Sequence, residues 1–317
     1  MTGRTPTGLH RLAVVTSAAT FVLLFAGGLV TSTGSGLAVR DWPLSSGQVF
    51  PPMVGGVLFE HGHRLVASAV GCLTLALALW ITIREPRPAV RALGLAALFA
   101  VILQGVLGGV TVLYKLPLAV SVTHACLGQT FFCITVALAM ITGDSWQRLA
   151  TQPERAPTAL PALAAATTGI VFAQLVLGAL VRHMHAGLAI PDFPLAFGRV
   201  IPPLVTPFIT IHFAHRVGAL VVATAVGATL VTALRHRAPA PLRRPAILAA
   251  VLVALQVALG ALVIWTGRAV VPTTTHLVTG AALLATCLAL ALRAARMATA
   301  PSAAVAPAAP LQQGVLA

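Results

Sequence analysis

Charge is what this sequence has least of. Only 8% of the 317 residues are Asp, Glu, Lys or Arg, where a soluble globular chain carries about a quarter. Aromatics are also sparse at 5%. No stretch of basic residues runs together, so the net charge of +14 lacks the clustered footprint of a nucleic-acid-binding face, and no nucleic acid is expected as a partner. The four cysteines, Cys72, Cys126, Cys133 and Cys287, fall inside apolar segments and form no CxxC pair. That excludes a thiolate metal knuckle and an extracytoplasmic disulfide framework, and it casts all four as buried small hydrophobes. No segment is polar enough to be a soluble catalytic domain.

What is present is hydrophobic length. Apolar residues make up 58% of the chain and the mean hydropathy is +0.96. Runs of 18 or more apolar residues read as membrane-spanning helices over 12–32, 57–83, 92–113, 119–141, 161–182, 208–234, 246–266 and 272–292. The first has the length of a permanent span rather than a cleaved leader. The fold class is therefore an all-α integral membrane protein with membrane lipid around it. With the N-terminus inside, thirteen arginines fall in cytoplasmic segments and five basic residues (Arg40, Lys115, Arg182, Arg199 and Arg268) in outer ones. That bias places both termini in the cytoplasm and the protein in the cell membrane.

The chain repeats itself. GGLVTSTGSGLAVRDWPLSSGQVFPP begins at Gly27 and GALVRHMHAGLAIPDFPLAFGRVIPP at Gly178, an offset of 178 − 27 = 151, which becomes 152 after the Pro-Pro pairs. The expected organisation is a cytoplasmic N-terminus (1–11), a four-helix half (12–141), a cytoplasmic linker (142–160), a second four-helix half (161–292) and a disordered, Ala- and Pro-rich cytoplasmic tail (293–317). Parallel repeats of this kind are related by an axis along the membrane normal. Each half has one long outer loop, 33–56 and 183–207. Asp41-Trp42-Pro43 and Asp192-Phe193-Pro194 should form turns there, with an aromatic at headgroup level, and each loop is long enough to lie as a lid.

Four histidines lie one to two turns inside the outer ends of the even-numbered helices: His63 and His124 in the first half, His215 and His276 in the second. An ionisable side chain at membrane depth is costly and marks function. Interhelical hydrogen bonding explains one such histidine, but four at matched depth, paired within each half, suit two bis-imidazole heme sites. Arg64 and Arg216 directly follow His63 and His215 and are expected to hold heme propionates, with help from Arg40, Arg182 and Arg199; snorkelling to the interface is the other reading. Gly105, Gly108, Gly109, Gly178 and Gly260 allow close approach of helices or of a flat macrocycle, and Gln104, Gln174 and Gln256 are expected to bond between helices.

The two halves differ where chemistry would show. Glu60 lies three residues before His63, on the same helix face, where a carboxylate can move protons; its counterpart in the second half is His212. One reactive pocket, in the first half, and one structural or electron-transfer heme, in the second, follow as the expectation. His183, Met184 and His185, with His212, are a candidate copper set, or else a polar loop.

Glu60-x-x-His63-Arg64, the paired His215 and His276, and the duplicated Gly-Leu-Ala and Pro-Pro loops resemble the heme A synthase family over nearly the whole chain, about 12–295. The resemblance implies oxidation of the C8 methyl of heme O to a formyl group, giving heme A. It implies that His63 and His124 hold the substrate heme, that Glu60 is catalytic, and that His215 and His276 hold a heme b cofactor that relays electrons. It also implies an electron-transfer partner, and heme O synthase or the terminal oxidase assembly machinery as neighbours, with a homo-oligomer left open. Some members carry a cysteine pair in the first outer loop; residues 33–56 have none, so no disulfide route for electrons runs there. A b-type cytochrome subunit and a heme-binding transporter remain as alternatives.

Overall fold

A computed structural model of the chain describes residues 6–152 and 154–299. The expected tail beyond Thr299 and the residues before Pro6 lie outside the described residues. The described chain is all helical. Four long helices, α1 (Thr7–Ser32), α2 (Gly56–Arg84), α3 (Pro88–Leu113) and α4 (Leu118–Ile141), precede a short α5 (Asp144–Leu149). Four more follow: α6 (Leu160–His183), α7 (Pro207–Arg235), α8 (Ala240–Trp265) and α9 (Val270–Ala298). Eight of these are long and apolar enough to cross a membrane, as the sequence predicts.

The ends differ from expectation in two informative places. Helix α8 starts at Ala240, ahead of Pro245, which the apolar run had excluded. A proline inside a helix strands the carbonyl one turn earlier. Here that carbonyl belongs to Pro241, and Arg293 of α9 donates to it at 3.3 Å, so the helix continues through the proline. Helix α9 runs on to Ala298, so 293–298 is helix rather than tail. Its last turns lean on α5, with the Arg296 guanidinium 5.7 Å from the Trp146 ring centre, which gives the linker a docked helix.

Within each half the helices pack in chain order, and the last helix closes back on the first: α4 on α1, α9 on α6. Between halves, α1 packs on α9, α4 on α6, and α4 on α9. The first core gathers Leu9, Val70, Leu77, Ile81, Phe131 and Leu138; the second gathers around Leu160, Leu242, Leu284 and Leu290. Buried threonines within the spans satisfy themselves on their own helices: the Thr20 and Thr74 hydroxyls each donate to the carbonyl four residues back, at 2.7 Å. None of the four cysteines is bonded to another, and three are wholly or partly buried. Cys72 instead faces outward from α2, where apolar lipid suits a thiol as well as a protein core does.

Both long loops fold alike, as caps over one end of the bundle. Asp41 accepts the Ser46 and Gly47 amides at 2.7 and 2.8 Å, and Asp192 accepts those of Phe197 and Gly198 at 2.7 and 2.8 Å. These are the turns the sequence predicts, and both Trp42-Pro43 and Phe193-Pro194 are cis. Amide hydrogen bonds stabilise the ionised form, so Gly47 and Ser46 hold the Asp41 carboxyl below its ordinary value, and Gly198 and Phe197 do the same for Asp192. Each cap drives one apolar side chain into the bundle, Val39 in the first and Ile190 in the second, both fully buried.

Candidate functional site

The caps are fastened by the residues that the sequence marks. In the first half Arg64 donates to the Asp41 and Leu44 carbonyls, both at 2.9 Å, and to the Glu60 carboxylate at 2.7 Å. Glu60 is 3% exposed, and its other oxygen accepts the Val39 amide at 2.8 Å. Glu60, expected to share a helix face with His63, has its carboxylate at the underside of the cap, one helical turn from the histidine. Beside it Ser45 Oγ and His61 Nδ1 are 2.8 Å apart, a contact that sequence reading did not single out.

In the second half Arg216 donates to the Leu195, Asp192 and Ile190 carbonyls at 2.9, 2.7 and 3.1 Å. His212 takes the place of Glu60: its Nδ1 accepts the Ile190 amide at 3.3 Å, and its Nε2 lies 3.4 Å from Arg216 Nε. Arg64 and Arg216, expected to hold propionates, thus give two and three N–H groups to cap carbonyls. Arg40 and Arg199 are exposed on the caps.

Each of the four membrane-depth histidines is seated on a glycine of the preceding helix. A Cβ added at Gly27 or Gly178 would stand 3.1 Å from Cε1 of His63 or His215, and one at Gly108 or Gly260 would stand 3.4 Å from Cε1 of His124 or His276. Gly108, Gly178 and Gly260 were legible as close-approach positions. Gly27 was not singled out, although its offset from Gly178 was the available signal. Counting from each helix start at 1.5 Å per residue, the four rings sit about 9–12 Å along their helices. Nδ1 of His63, His124 and His276 is buried and unpartnered. In each, the main-chain carbonyl one turn before the glycine (Leu23, Gln104 or Gln256) lies nearby, short of a formed hydrogen bond. That disposition leaves Nε2 as the ring nitrogen free for a ligand.

His215 and His276 face each other with ring centres 6.4 Å apart and planes at 74°. A metal–imidazole nitrogen bond is about 2.0 Å and the ring centre lies about 1.1 Å beyond it, so two imidazoles on one metal ion stand ~6.2 Å apart. The observed spacing fits that demand. Both rings line a cavity of about 350 Å³, within the usual range of cofactor pockets, about 300–1,000 Å³. Its walls are apolar apart from His183, His212, three glutamines and a few hydroxyls, and from three guanidiniums, Arg182, Arg216 and Arg268; no carboxylate lines it. Arg182 donates to Thr31 Oγ1 and, at 3.4 Å, to the Thr273 carbonyl. Cations held at an apolar cavity without a counter-charge suit a ligand that carries its own anions. A porphyrin with two carboxylates matches both ends of this space. Arg182 was among the expected helpers, whereas Arg268 was read only as a topological charge.

The wall between the halves belongs to both. Helix α4 carries His124, and its Cys126 and Gln129 line the cavity of His215 and His276. The glutamines bond between helices as predicted: Gln104 Nε2 donates to the His124 carbonyl at 3.0 Å and Gln174 Nε2 to the His215 carbonyl at 2.8 Å. The candidate copper set is not brought together. His183 and His212 both line this cavity, with His212 also bonded to the cap, but Met184 lines a separate groove and His185 is exposed. Among the described residues no group of three or more His, Cys, Asp or Glu side chains could hold a metal ion.

Comparison with known proteins agrees with this architecture. Residues 54–288 match the family model described as cytochrome oxidase assembly protein. A heme A synthase of Symbiobacterium thermophilum is 36% identical over 265 residues, 80% of this chain and 86% of that one. Heme A synthases of Shouchella clausii and Halalkalibacterium halodurans are 33% and 30% identical, over 67% and 82% of this chain and 72% and 89% of their own lengths. The chain is thus a multi-pass membrane protein that belongs to the heme A synthase family.

Proposed function

We propose that this chain is an oxidoreductase that converts heme O to heme A by oxidising the C8 methyl to a formyl group. Relatives named heme A synthase over most of the chain support this activity. The observation that carries the site reading is the matched seating of four histidines on four glycines, with one pair at metal-bridging distance in a carboxylate-free, arginine-bearing cavity.

In this reading His63 and His124 grip the substrate heme in the first half (12–141). His215 and His276 hold a heme b in the second (161–292), beyond the linker 142–160. The bound heme b supplies one-electron redox chemistry. Arg182 and Arg268 take its carboxylates, and Arg216 fastens the cap above it. Turning a methyl into a formyl group brings in one oxygen atom from water, passes four electrons from the carbon to the redox partner and releases four protons that a base must collect. Glu60 is that base. Arg64 pairs with one of its oxygens and the Val39 amide, bound to the other, fixes its direction under the cap. Both termini lie in the cytoplasm and both pockets toward the outer face of the cell membrane, a topology supported by the thirteen-to-five bias of basic residues. Electrons pass to or from a separate redox partner, with heme O synthase and the oxidase assembly machinery as neighbours.

The test is to express the full chain with a supply of heme O and to identify the extracted hemes. Heme A should appear with the native chain and vanish with His63→Ala or His124→Ala while heme b stays. Conversion that survives both substitutions would refute the assignment.

A further inference from the structure

Two of the four histidine-bearing helix turns are clasped by a glutamine, and a third has one packed against it. Gln104 donates to the His124 carbonyl at 3.0 Å and Gln174 to the His215 carbonyl at 2.8 Å. A Cβ at Gly280, one turn beyond His276, would lie 2.7 Å from Gln256 Nε2. Only His63 lacks such a neighbour. Its counterpart of Gln174 is Leu23, since 174 − 151 = 23.

The equivalence is geometric as well as arithmetic. Four residues after Leu23 and Gln174 come Gly27 and Gly178, the seats of His63 and His215. The residues that follow them, Leu24 and Leu175, reach Gly128 and Gly280, with side-chain carbons 3.7 and 3.1 Å from a Cβ placed there. Within this shared frame Gln174 alone also touches an imidazole: its Nε2 is 3.0 Å from His215 Nδ1, while its Oε1 is buried without a partner. A carboxamide can donate or accept at the same place by a half-turn. An imidazole that gives Nε2 to a metal carries its proton on Nδ1; Gln174 either holds the His215 main chain through Nε2 or, turned over, gives up that bond to accept the Nδ1 proton, and both contacts restrain the ring. Nδ1 of His63 has no side-chain partner, only the Leu23 main-chain carbonyl nearby.

We infer that Gln174 is a positioning residue that makes His215 a permanent heme ligand, and that Leu23 leaves His63 the exchangeable ligand of the pair of pockets. The inference rests on the two-pocket reading above and adds to it how one chain keeps one heme and lets another go. A ligating imidazole whose second nitrogen is hydrogen-bonded is fixed in orientation and more basic, and loss of such a partner costs ~10–100-fold in metal affinity. A substrate site needs the opposite, because its product must leave.

Two reciprocal substitutions in the full chain, purified in detergent with its hemes, test this. Heme loss is followed by transfer to apomyoglobin, and each midpoint potential by redox titration. Gln174→Leu should speed loss of the second-half heme by ~10–100-fold and move its midpoint potential positive, because a less basic ligand favours ferric iron less. Leu23→Gln should slow release from the first pocket and shift only that pocket's potential. Unchanged release and unchanged potential in Gln174→Leu overturn the inference. If Gln174→Leu does not accumulate, Leu23→Gln decides alone, and unslowed release overturns it. His215→Ala separates the two levels. A variant that still holds both hemes defeats the two-pocket reading itself, whereas loss of one heme there, with Gln174→Leu indistinguishable from native, defeats only the role of Gln174.

Discussion

Laid over one another by the 151- and 152-residue offsets, the two histidine pairs share their frame and differ in the side chains set around them. Both have two histidines seated on glycines, a cap turned by an aspartate, and an arginine tying that cap down. Even the left-handed residues that end α3 and α8 agree, Leu116 at φ +61° and Arg268 at +67°. Yet the second pocket has Arg182 where the first has Thr31, and Arg268 where the first has Leu116. Arg182 and Thr31 touch each other across the boundary between the halves. The first pocket in turn has Glu60 where the second has His212, each accepting the amide of the apolar residue that plugs its cap. Cations and a polar clasp accumulate on one side and a carboxylate on the other. That is the division expected between a site that retains an anionic macrocycle and one that acts on it and releases it.

The comparison breaks most sharply at Glu60. Glu60→Gln keeps an acceptor for the Val39 amide but loses the base, so heme O conversion, read by chromatography of extracted hemes, should fall ~10²–10⁴-fold with heme still bound. His212→Ala removes only a neutral cap bond, a loss of about 1 kcal/mol that thermal unfolding can read. Equal conversion in native and Glu60→Gln chains would leave the first pocket with no reactive distinction.

The cations come next. Charge-assisted hydrogen bonds are worth about 1.5–3 kcal/mol each, so Arg182→Gln with Arg268→Gln should speed heme loss from the second pocket by at least ~10-fold. The reverse changes, Thr31→Arg and Leu116→Arg, should hinder product release from the first, measured as heme A retained on the protein after turnover.

A smaller effect probes the shared frame. Gly27→Ala and Gly178→Ala each place a methyl 3.1 Å from an imidazole carbon, and overpacking of this kind costs about 1–3 kcal/mol. The two variants should lower thermal stability alike, and should broaden the Soret band of the first- and second-half heme respectively. The smallest effect concerns the caps. Because amides hold Asp41 and Asp192 below the ordinary value of 3.8, their stabilisation is complete above it and fades as pH falls below it toward the folded pKa. Protection of the Ser46, Gly47, Phe197 and Gly198 amides against exchange, taken relative to the intrinsic rate at each pH, should therefore fall together as the solution is acidified below about pH 4.

Much of this was legible in the sequence because bilayer length and repeat spacing are one-dimensional quantities. The eight spans, the aspartate turns of the caps and the depth of the four histidines follow from counting residues. What counting misses is direction. Glu60 and His63 share a helix face by spacing, but Arg64 and the Val39 amide draw the carboxylate under the cap. Arg64 and Arg216 look like propionate anchors from their neighbours in sequence, yet the carbonyls of the folded caps claim them. Helix α8 looks as though it must start after Pro245, until Arg293 of α9 supplies the donor that the proline strands. Arg268 counts as one more loop charge until the turn after α8 folds it over the cavity. Each of these depends on a partner far away in the chain, which a local pattern does not contain.

The central claim is that opposed imidazoles hold two hemes of different fate. The most direct measurement is heme content and identity in the purified full chain beside its two double variants, His63→Ala with His124→Ala and His215→Ala with His276→Ala. The account predicts a Soret band and heme b together with heme O or heme A in the native chain. It predicts heme b alone in the first variant and loss of the heme b in the second. A native chain without Soret absorption, or a heme complement unchanged in both variants, would contradict it.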